Sequence, residues 1–528
     1  MTRRRSLLVA GAALCVVAPS LSAQIMDHTM VPGGRVRLQA SPVFESWDSR
    51  FGRGPGDTSI TERLGADLTD PTTVSLFPGI ATLTGAVRDV VATPFDPVLG
   101  STAALVRQDV TRIDFGAHLG VFDWLTVGAV LPWMRTRTAV DVSFFPDTAN
   151  ATLGLNPSIG SSGLVQDFLA STAVARTQAQ AYAASICAGD PSAACSAAQA
   201  LADRAETFDA SLQTAYTASP FFPLTGSAVG DALMQEASAL SAELMAVGLA
   251  GLAPLILSDQ LLAEEEDLAR IPTLAGGGIE ATLPLTTVQS LWAAGDMEVS
   301  ARVRLLDNLT PTDEGWSHPG FGYRITGRLL VRLPTGTAPD PDILLDLGTG
   351  DAQTDVEGGM TATLRFGSKV GFTAGALYGR QGETVVTRRV APPEVVLAPV
   401  STRTELTWRP GAYVGVAAAP SIHLAPSITL HGEYRFFHKR RDEFELVDVA
   451  EPLNPDVLAI ESGVKAHLVG GGLRYDTVDA WRRGDASLPV EIHLRLLGTV
   501  AGSGGQVQKA TRVEAGLRLF RRLWGPDR

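Results

Sequence analysis

The sequence is poor in cysteine, in aromatic residues and in long apolar runs. It has three Cys among 528 residues, and Phe, Trp and Tyr together make up 6%. Beyond the N-terminal region, the stretch that comes closest to a membrane span is Leu244–Leu257, which glycine and proline interrupt. A transmembrane helix needs about 20 apolar residues, so none is predicted. Any membrane-embedded part must then be a closed β-barrel, the other structure that pairs every backbone group in lipid.

Sequence motifs for catalysis and cofactor binding are missing as well. The chain has no Walker loop, no His-Glu-x-x-His zinc pair and no Gly-x-Ser-x-Gly elbow between a strand and a helix. The sequence therefore predicts neither an enzyme nor a bound cofactor.

Two groups of residues are candidates for metal sites. His431, His467 and His493 are predicted on the polar faces of successive strands, where they could bind a metal, form an acid–base pair or simply be solvated. Five Asp between positions 340 and 355 crowd one loop, which either binds a divalent ion or is an acidic, solvated loop. We assign no metal site to either group.

The N-terminus has the pattern of a secretory signal peptide. Three Arg near the start precede the apolar run Leu7–Ala18, and small residues follow up to Ala23. Residues 1–23 are therefore predicted to be removed on export. Removal takes three Arg and no acidic residue, which lowers the net charge from −13 to −16. A strongly acidic exported protein is not expected to bind nucleic acid. Its possible destinations are the periplasm, the bacterial outer membrane and the medium.

The clearest strand pattern runs from Phe321 to Leu333. One face of this segment is apolar and the other carries Arg324, Arg328 and Arg332, because successive side chains of a strand point to opposite sides. Its thirteen residues exceed the usual globular strand of about 5–6. They suit a tilted membrane-spanning strand, which needs about 9–11 residues.

Similar alternation recurs along the chain and predicts about twelve strands, an even number, as in bacterial single-chain barrels. Short turns are predicted at 121–123, 367–368 and 418–423. Long loops are predicted at 144–294, 335–353, 388–402 and 440–461. Short periplasmic turns and long external loops are typical of outer-membrane barrels. The prediction is an all-β transmembrane antiparallel barrel, with a β-sandwich or another periplasmic sheet protein as the alternative.

The interior of the predicted barrel is strongly charged. The residues predicted to line it are Arg112, Arg302, Arg304, Arg324, Arg328, Arg332, Arg365, Arg435, Arg495, Glu433 and Glu491. Such residues cannot face lipid, since Arg at the bilayer midplane costs roughly 2–4 kcal/mol. Two interpretations stay open: a charged pore wall, or Arg–carboxylate pairs that fill a closed barrel. Five of these Arg come from two consecutive strands with only Glu298 nearby, so an open pore is expected to prefer anions weakly unless carboxylates neutralise its wall.

On this interpretation the chain has four segments. Residues 1–23 are the signal peptide, 24–157 hold the first strands with 47–108 as a long loop or partial plug, 158–272 form an Ala-rich helical insert, and 273–528 hold the remaining strands.

The insert is predicted to be helical and to contain a disulfide. Its apolar period lengthens to between three and four residues. Cys187 and Cys195 are the only cysteines left after export. In an oxidising compartment they are predicted to form a disulfide, with two buried thiols as the alternative.

Two short patches resemble a known family. Gly120–Leu125, with Gly128 and Pro132, resembles the strand–turn–strand signature of outer-membrane proteins of the transporter or meta-pathway phenol-degradation family. Leu333–Gly336, followed by Leu347–Gly350, resembles the strand exit and loop of the same family. The resemblance implies a barrel that passes hydrophobic or aromatic small molecules across the outer membrane. The Ala-rich insert departs from the family's pattern.

The last strand bears on the predicted partners. It alternates and ends in aromatic residues close to Trp524, which resembles terminal strands that engage the barrel-assembly machinery. The expected partners are this machinery, outer-membrane lipid, lipopolysaccharide and a small-molecule solute.

Three functional hypotheses follow. The first is an outer-membrane channel or transporter for small solutes, hydrophobic or aromatic ones among them. The alternative is a closed structural or adhesive barrel that displays the helical insert. The third, an outer-membrane hydrolase, would require a Ser or Asp close to a lumen His.

Overall fold

The computed structural model describes residues 29–52, 60–160, 162–188, 192–309, 320–393 and 395–524, so the predicted signal peptide lies outside the described residues. Within these ranges, twelve long strands form an antiparallel sheet that closes on itself. The strands are β1 (Arg35–Trp47), β2 (Gly100–Phe122), β3 (Leu125–Pro146), β4 (Met297–Asp307), β5 (Phe321–Leu333), β6 (Asp355–Phe366), β7 (Val370–Gln381), β8 (Tyr413–Ala425), β9 (Ile428–Lys439), β10 (Val464–Asp476), β11 (Val490–Ser503) and β12 (Thr511–Arg522). Each strand pairs with its neighbours in sequence, and β12 pairs with β1. The predicted antiparallel barrel of about twelve strands is confirmed.

The two ends of the barrel differ in their connections. At one end, here the turn end, lie the start of β1, the end of β12, the short turns at 123–124, 367–369 and 426–427, and the longer connections 308–320 and 477–489. At the other, the loop end, lie the long connections 48–99, 147–296, 334–354, 382–412 and 440–463.

Several strand boundaries differ from the predicted ones. The turn predicted at 418–423 is wrong, because β8 runs through it and pairs Ser421 with His431 of β9. The turn lies instead at Pro426–Ser427. Proline and serine are also common in turns, and their presence at 420–421 accounts for the wrong prediction. Pro132 does not interrupt β3. Proline is tolerated there because it lies in a gap of the pairing, between Val130 with Glu298 and Trp133 with Ala294.

Three shorter strands at the loop end form a separate sheet. Thr384–Arg389 pairs with Arg403–Arg409, which pairs in turn with Glu443–Leu446. Alternation along 369–387 and along 403–417 predicts one strand in each segment, but both segments divide between this sheet and the barrel. Val386, Leu406, Trp408 and Phe444 form its buried core.

The β2–β3 hairpin is longer than the other strands and changes character along its length. Its inner face near the turn end carries Arg112, Asp114 and His118. Towards the loop end the inner face becomes apolar and buried, as at Val106, Val142 and Phe144. This extension therefore presents an apolar surface on which other elements can pack.

Helices cover that surface at the loop end. They are α1 (Gly79–Val90), α2 (Ser162–Ile186), α3 (Ala193–Ala218) and α4 (Ala228–Ala246). Leu201, Ala205, Phe208 and Leu212, the stripe expected at helical spacing, are buried along α3. One continuous apolar cluster joins these helices to the β2–β3 extension. None of the helices in the described ranges is both long and apolar enough to cross a membrane.

Close packing and polar contacts fix these helices to one another. Gly79 opens α1 where a Cβ would overlap the carbonyl oxygen of Ala218 in α3. Arg204 of α3 donates to Glu236 and Glu243 of α4, both at 2.7 Å. Cys187 and Cys195 are joined in a disulfide between α2 and α3.

The predicted division into segments remains a prediction. Helices α2 to α4 fall within the predicted insert 158–272. Helix α1 lies within the predicted loop 47–108, and β2 begins inside that loop, at Gly100.

Candidate functional site

The outer surface of the barrel is apolar. Large apolar side chains exposed there include Leu38, Phe44, Phe115, Leu131, Val299, Leu329, Met360, Tyr378, Ile422, Leu430, Leu473, Ile492 and Leu517. They occupy the strand positions opposite the charged inner row, as alternation requires. An apolar surface of this extent on a closed barrel is that of a transmembrane β-barrel.

A cavity of about 720 Å³ occupies the loop-end half of the barrel. This loop-end cavity is within the range of about 300–1,000 Å³ typical of ligand pockets. Most of its lining is apolar, including Trp47, Met134 and Phe437 from the barrel wall. The three-stranded sheet and its connections add Val385, Val386 and further aliphatic side chains.

The connection from Thr335 to Gln353, here the inner loop, forms one wall of the loop-end cavity. The Thr138 hydroxyl donates to the Leu345 carbonyl at 2.8 Å, which fixes the loop to the inner face of β3. The Gly336 N–H donates to Asp296 Oδ1 at 2.9 Å. Leu345 and Ala352 have positive φ values of 61° and 60°. Such backbone costs of order 1–3 kcal/mol per non-glycine residue and clusters at functional sites.

The charges that line the loop-end cavity balance. Its acidic lining residues are Glu45, Asp296, Glu298, Asp340, Asp346 and Asp351. Its basic lining residues are Arg112, Arg332, Arg388, Arg389, Arg403 and Arg512. Burial raises the pKa of Asp296 and Asp351, which lie outside the strands and also repel each other. The cavity is therefore an apolar chamber with no formal excess charge when all twelve groups are ionised.

A charged layer separates this cavity from the turn-end half of the barrel. We define it as Asp114, Arg302, Arg328, Glu357, Arg435 and Glu514, which lie between the linings of the two halves. On β9, for example, Arg435 lies between Phe437 of the loop-end cavity and Glu433 of the opposite half. Arg302 and Arg435 are among the largest fully buried side chains.

Ion pairs within β9 and between neighbouring strands hold the residues of the charged layer. Arg435 Nε donates to Glu433 Oε1 at 2.5 Å, and Arg495 Nη2 donates to Glu514 Oε1 at 2.6 Å. Arg328 pairs with Glu357. In each of these three pairs, a charge that is withdrawn from water gains an opposite partner.

Arg332 bridges three strands just above this layer. It lies on β5 and contacts Glu298 Oε1 of β4 at 3.1 Å and Asp355 Oδ2 of β6 at 2.5 Å. The three side chains are 7%, 6% and 0% exposed.

A smaller cavity of about 150 Å³ lies on the other side of the charged layer. This turn-end cavity is polar. Its charged and histidine lining residues are Arg365, Arg474, Arg495, Arg518, Glu433, Glu491, His423, His431 and His493. Gly516 makes room for one of these rings, because a Cβ there would overlap His493 on the neighbouring strand.

The eleven predicted lumen residues all lie on the inner face, at different depths. Arg112 and Arg332 line the loop-end cavity, and Arg365, Arg495, Glu433 and Glu491 line the turn-end cavity. Arg302, Arg328 and Arg435 belong to the charged layer. Arg304 and Arg324 lie near the turn end, where both pair with Asp307 at 3.2 and 2.8 Å.

Sequence reasoning missed the carboxylates that pair with these arginines. Asp307, Asp355 and Glu357 have buried side chains on the inner face. The sequence of β6 does contain a signal for them, because Asp355, Glu357 and Arg365 are separated by even numbers of residues and so lie on the same face of the strand. The Gly358–Gly359 pair obscured the alternation.

The structure does not bring the candidate metal-binding residues together as a metal site. His467 is on the outer face, where its Nδ1 lies 2.8 Å from the Tyr434 hydroxyl, so its predicted place on the polar face is wrong. His467 shares its side of β10 with the exposed Val469, Leu473 and Tyr475, and the glycines at 470–472 obscure the alternation in the sequence. In the described part of the chain, no group of three or more His, Cys, Asp or Glu is placed to hold a metal ion.

Comparisons with known proteins give distant structural likenesses. No protein-family model matches the sequence, and no curated protein is similar to it in sequence. An outer membrane channel from Pseudomonas putida F1 is 8% identical over 94% of this chain and 98% of its own, with a TM-score of 0.40. The Pseudomonas putida toluene transporter TodX is 10% identical over 94% and 90%, with a TM-score of 0.27. A Pseudomonas aeruginosa FadL homologue is 8% identical over 93% and 91%, also with a TM-score of 0.27. Likenesses of this size extend to general barrel architecture and carry nothing about what passes through it.

Proposed function

We propose that this protein is a channel of the bacterial outer membrane for small solutes, including hydrophobic and aromatic ones. The observation that carries the proposal is the loop-end cavity, an apolar chamber of about 720 Å³ inside a closed barrel with an apolar outer surface. An apolar interior next to a lipid-facing wall favours solutes with an apolar body, because their burial releases water from both surfaces. No enzymatic role is proposed.

The proposed setting follows from the connections of the barrel. Short turns and both strand termini face the periplasm, so the loop-end cavity and helices α1 to α4 face outwards. The chain is exported with its signal peptide, assembled by the barrel-assembly machinery and surrounded by outer-membrane lipid and lipopolysaccharide. The meta-pathway phenol-degradation family remains our proposal for its relatives.

The charged layer is the proposed barrier of this channel. A solute that leaves the loop-end cavity towards the turn end meets Arg435, Glu433, Arg495 and Glu514, whose ion pairs run along the inner wall from β9 to β12. The proposed barrier opens when these pairs separate. Buried pairs of this kind separate rarely, so the resting conductance is expected to be low.

Planar-bilayer conductance tests the proposal. The full protein is compared with a double variant, Arg435→Ala with Glu433→Ala, which removes this pair as a whole. Arg495, the other partner of Glu433, keeps Glu514. The wild type should conduct weakly, the variant should conduct more, and phenol added on the loop-end side should reduce the variant's current. Correct folding is checked by faster gel migration without heating.

A matched control is available at the loop end. Arg409 pairs with Glu445 at 2.5 Å on the exposed three-stranded sheet. Arg409→Ala with Glu445→Ala should leave the conductance at its wild-type value. A folded lumen variant that stays as silent as bare lipid would contradict the channel.

That outcome would support the second candidate, a closed structural or adhesive barrel. The observation that favours it is the same charged layer, since ion pairs such as Arg495 with Glu514 fill the interior at mid-depth. The two candidates differ in whether the layer can open, which the double variant tests directly.

A further inference from the structure

The geometry points to a binding site for the carboxylate of a small organic acid in the turn-end cavity. This inference rests on the proposed function only because a channel would bring the solute to the site; the lining of the cavity carries the rest. The cavity holds about 150 Å³, which is several times the roughly 30 Å³ that one water occupies in the liquid. It therefore has room for a carboxylate group and little more than a small body attached to it.

The lining of the turn-end cavity has an excess of positive charge. Four Arg and two Glu line it. Arg518 Nη1 donates to Glu491 at 2.8 Å, which uses one carboxylate. Glu433 is shared by Arg435 at 2.5 Å and Arg495 at 3.7 Å. Arg495 also pairs with Glu514 at 2.6 Å. With Arg435 and Glu514 included, five guanidinium groups share three carboxylates, so the excess of positive charge remains.

Two of these lining arginines keep unused hydrogen-bonding capacity. Among the described residues, the buried Nε atoms of Arg474 and Arg495 have no hydrogen-bond acceptor. A buried donor without an acceptor is costly, so it calls for a partner. Arg474 lies opposite His493 on β11 and Thr429 on β9, which places its guanidinium between two polar lining residues.

The remaining lining suits an oxyanion. Thr363, Thr373, Ser421 and Thr429 bring hydroxyl groups that can donate to it. Guanidinium groups match the paired oxygens of carboxylates and phosphates, and charge-assisted hydrogen bonds are roughly twice as strong as neutral ones. The lining thus selects an anion by charge and by geometry.

A monoanionic carboxylate fits this site better than phosphate. Glu433 and Glu491 lie on the same wall and repel a dianion more strongly than a monoanion. Benzoate is a monoanionic carboxylate with a compact body, and it is the probe for the test.

Isothermal titration of the purified, full protein in detergent tests the site. Benzoate is compared with inorganic phosphate, benzyl alcohol and benzylammonium. Phosphate is an anion without an aromatic ring, whereas the other two keep the ring and are neutral and positively charged, respectively. We expect benzoate to bind at least about tenfold more tightly than the other probes, since each charge-assisted hydrogen bond contributes about one power of ten. Tighter binding of phosphate would overturn the assignment to a carboxylate, and equal binding of benzyl alcohol would overturn the anion site.

A pair of variants separates the site from general effects of charge. Arg474→Gln should weaken benzoate binding by about tenfold, whereas Arg380→Gln, on the exposed outer face of β7, should not. Equal effects of the two substitutions would overturn the inference, provided that both variants show the faster unheated gel migration. The titration measures binding and not transport. Absence of benzoate binding would therefore leave the conductance test of the channel unaffected, and absence of conductance would leave the binding test unaffected.

Discussion

Arg332 is the residue whose removal should destabilise the barrel most clearly. Its guanidinium joins Glu298 of β4 and Asp355 of β6 across β5, and all three side chains are nearly inaccessible. Arg332→Ala takes away the cation that both buried carboxylates share. Breaking a buried ion pair by removing one partner costs about 3–5 kcal/mol. We therefore expect the free energy of unfolding to fall by about that amount, which is a change of more than a hundredfold in the folding equilibrium.

The assay is reversible urea unfolding of the protein in lipid vesicles, followed by tryptophan fluorescence and by gel migration without heating. Arg409→Ala is the matched control, because Arg409 also joins two carboxylates, Glu383 and Glu445, both at 2.5 Å, but in an exposed position. Exposed pairs are screened by water and contribute little, so this control should unfold close to the wild type.

A rescue experiment identifies the cause of the loss. Adding Glu298→Gln and Asp355→Asn to Arg332→Ala removes the buried negative charges, and most of the lost stability should return. If Arg332→Ala destabilises no more than Arg409→Ala, or if the triple variant is no more stable than the single one, the account of the interior as a paired network is refuted.

Two further predictions concern the loop end. Burial raises the pKa of Asp296 and Asp351 above the ordinary value of an Asp side chain. At a pH between the ordinary and the raised pKa, these groups therefore bind protons on folding. Their contribution to stability is present at acidic pH and is lost as the pH rises through the raised pKa. Proteolysis of the inner loop should therefore speed up with rising pH in the wild type and change less in Asp351→Asn, and an unchanged slope in the variant would contradict this. Gly79→Leu should force α1 away from α3 and destabilise the helices by about 1–3 kcal/mol, measured as faster proteolysis of α1. Gly85→Ala in the same helix, where a Cβ would meet open space, should not do so, and equal proteolysis of the two variants would count against the packing argument.

The barrel itself was predictable from sequence because a strand in a closed barrel has two environments. Side chains at Leu329 and Val331 of β5 face lipid, whereas Arg328 and Arg332 face the interior, so alternation survives along the whole strand. Strand ends were less predictable. Alternation continues beyond the barrel into the three-stranded sheet, and a pattern of period two cannot tell which sheet a residue joins.

The candidate site was only half predictable, because its two halves depend on different kinds of information. The alternation of side chains along each strand predicts that the lumen arginines lie on the inner face. The partner of each arginine depends on register and on the height of neighbouring strands, as when Arg332 reaches both Glu298 and Asp355. The loop-end cavity depends on the inner loop folding back against β3, a tertiary contact that leaves no periodic signal between Thr335 and Gln353.

Ion pairing changes the expected source of any anion preference. The sequence suggested a cationic wall from five arginines of β4 and β5 with one carboxylate nearby. In the structure Arg304 and Arg324 share Asp307, Arg328 has Glu357, and Arg332 has two carboxylates. A wall paired in this way contributes little field beyond the screening length of about 8 Å. Weak anion preference therefore stays a prediction, but its source moves from that wall to the turn-end cavity, where four arginines face two carboxylates.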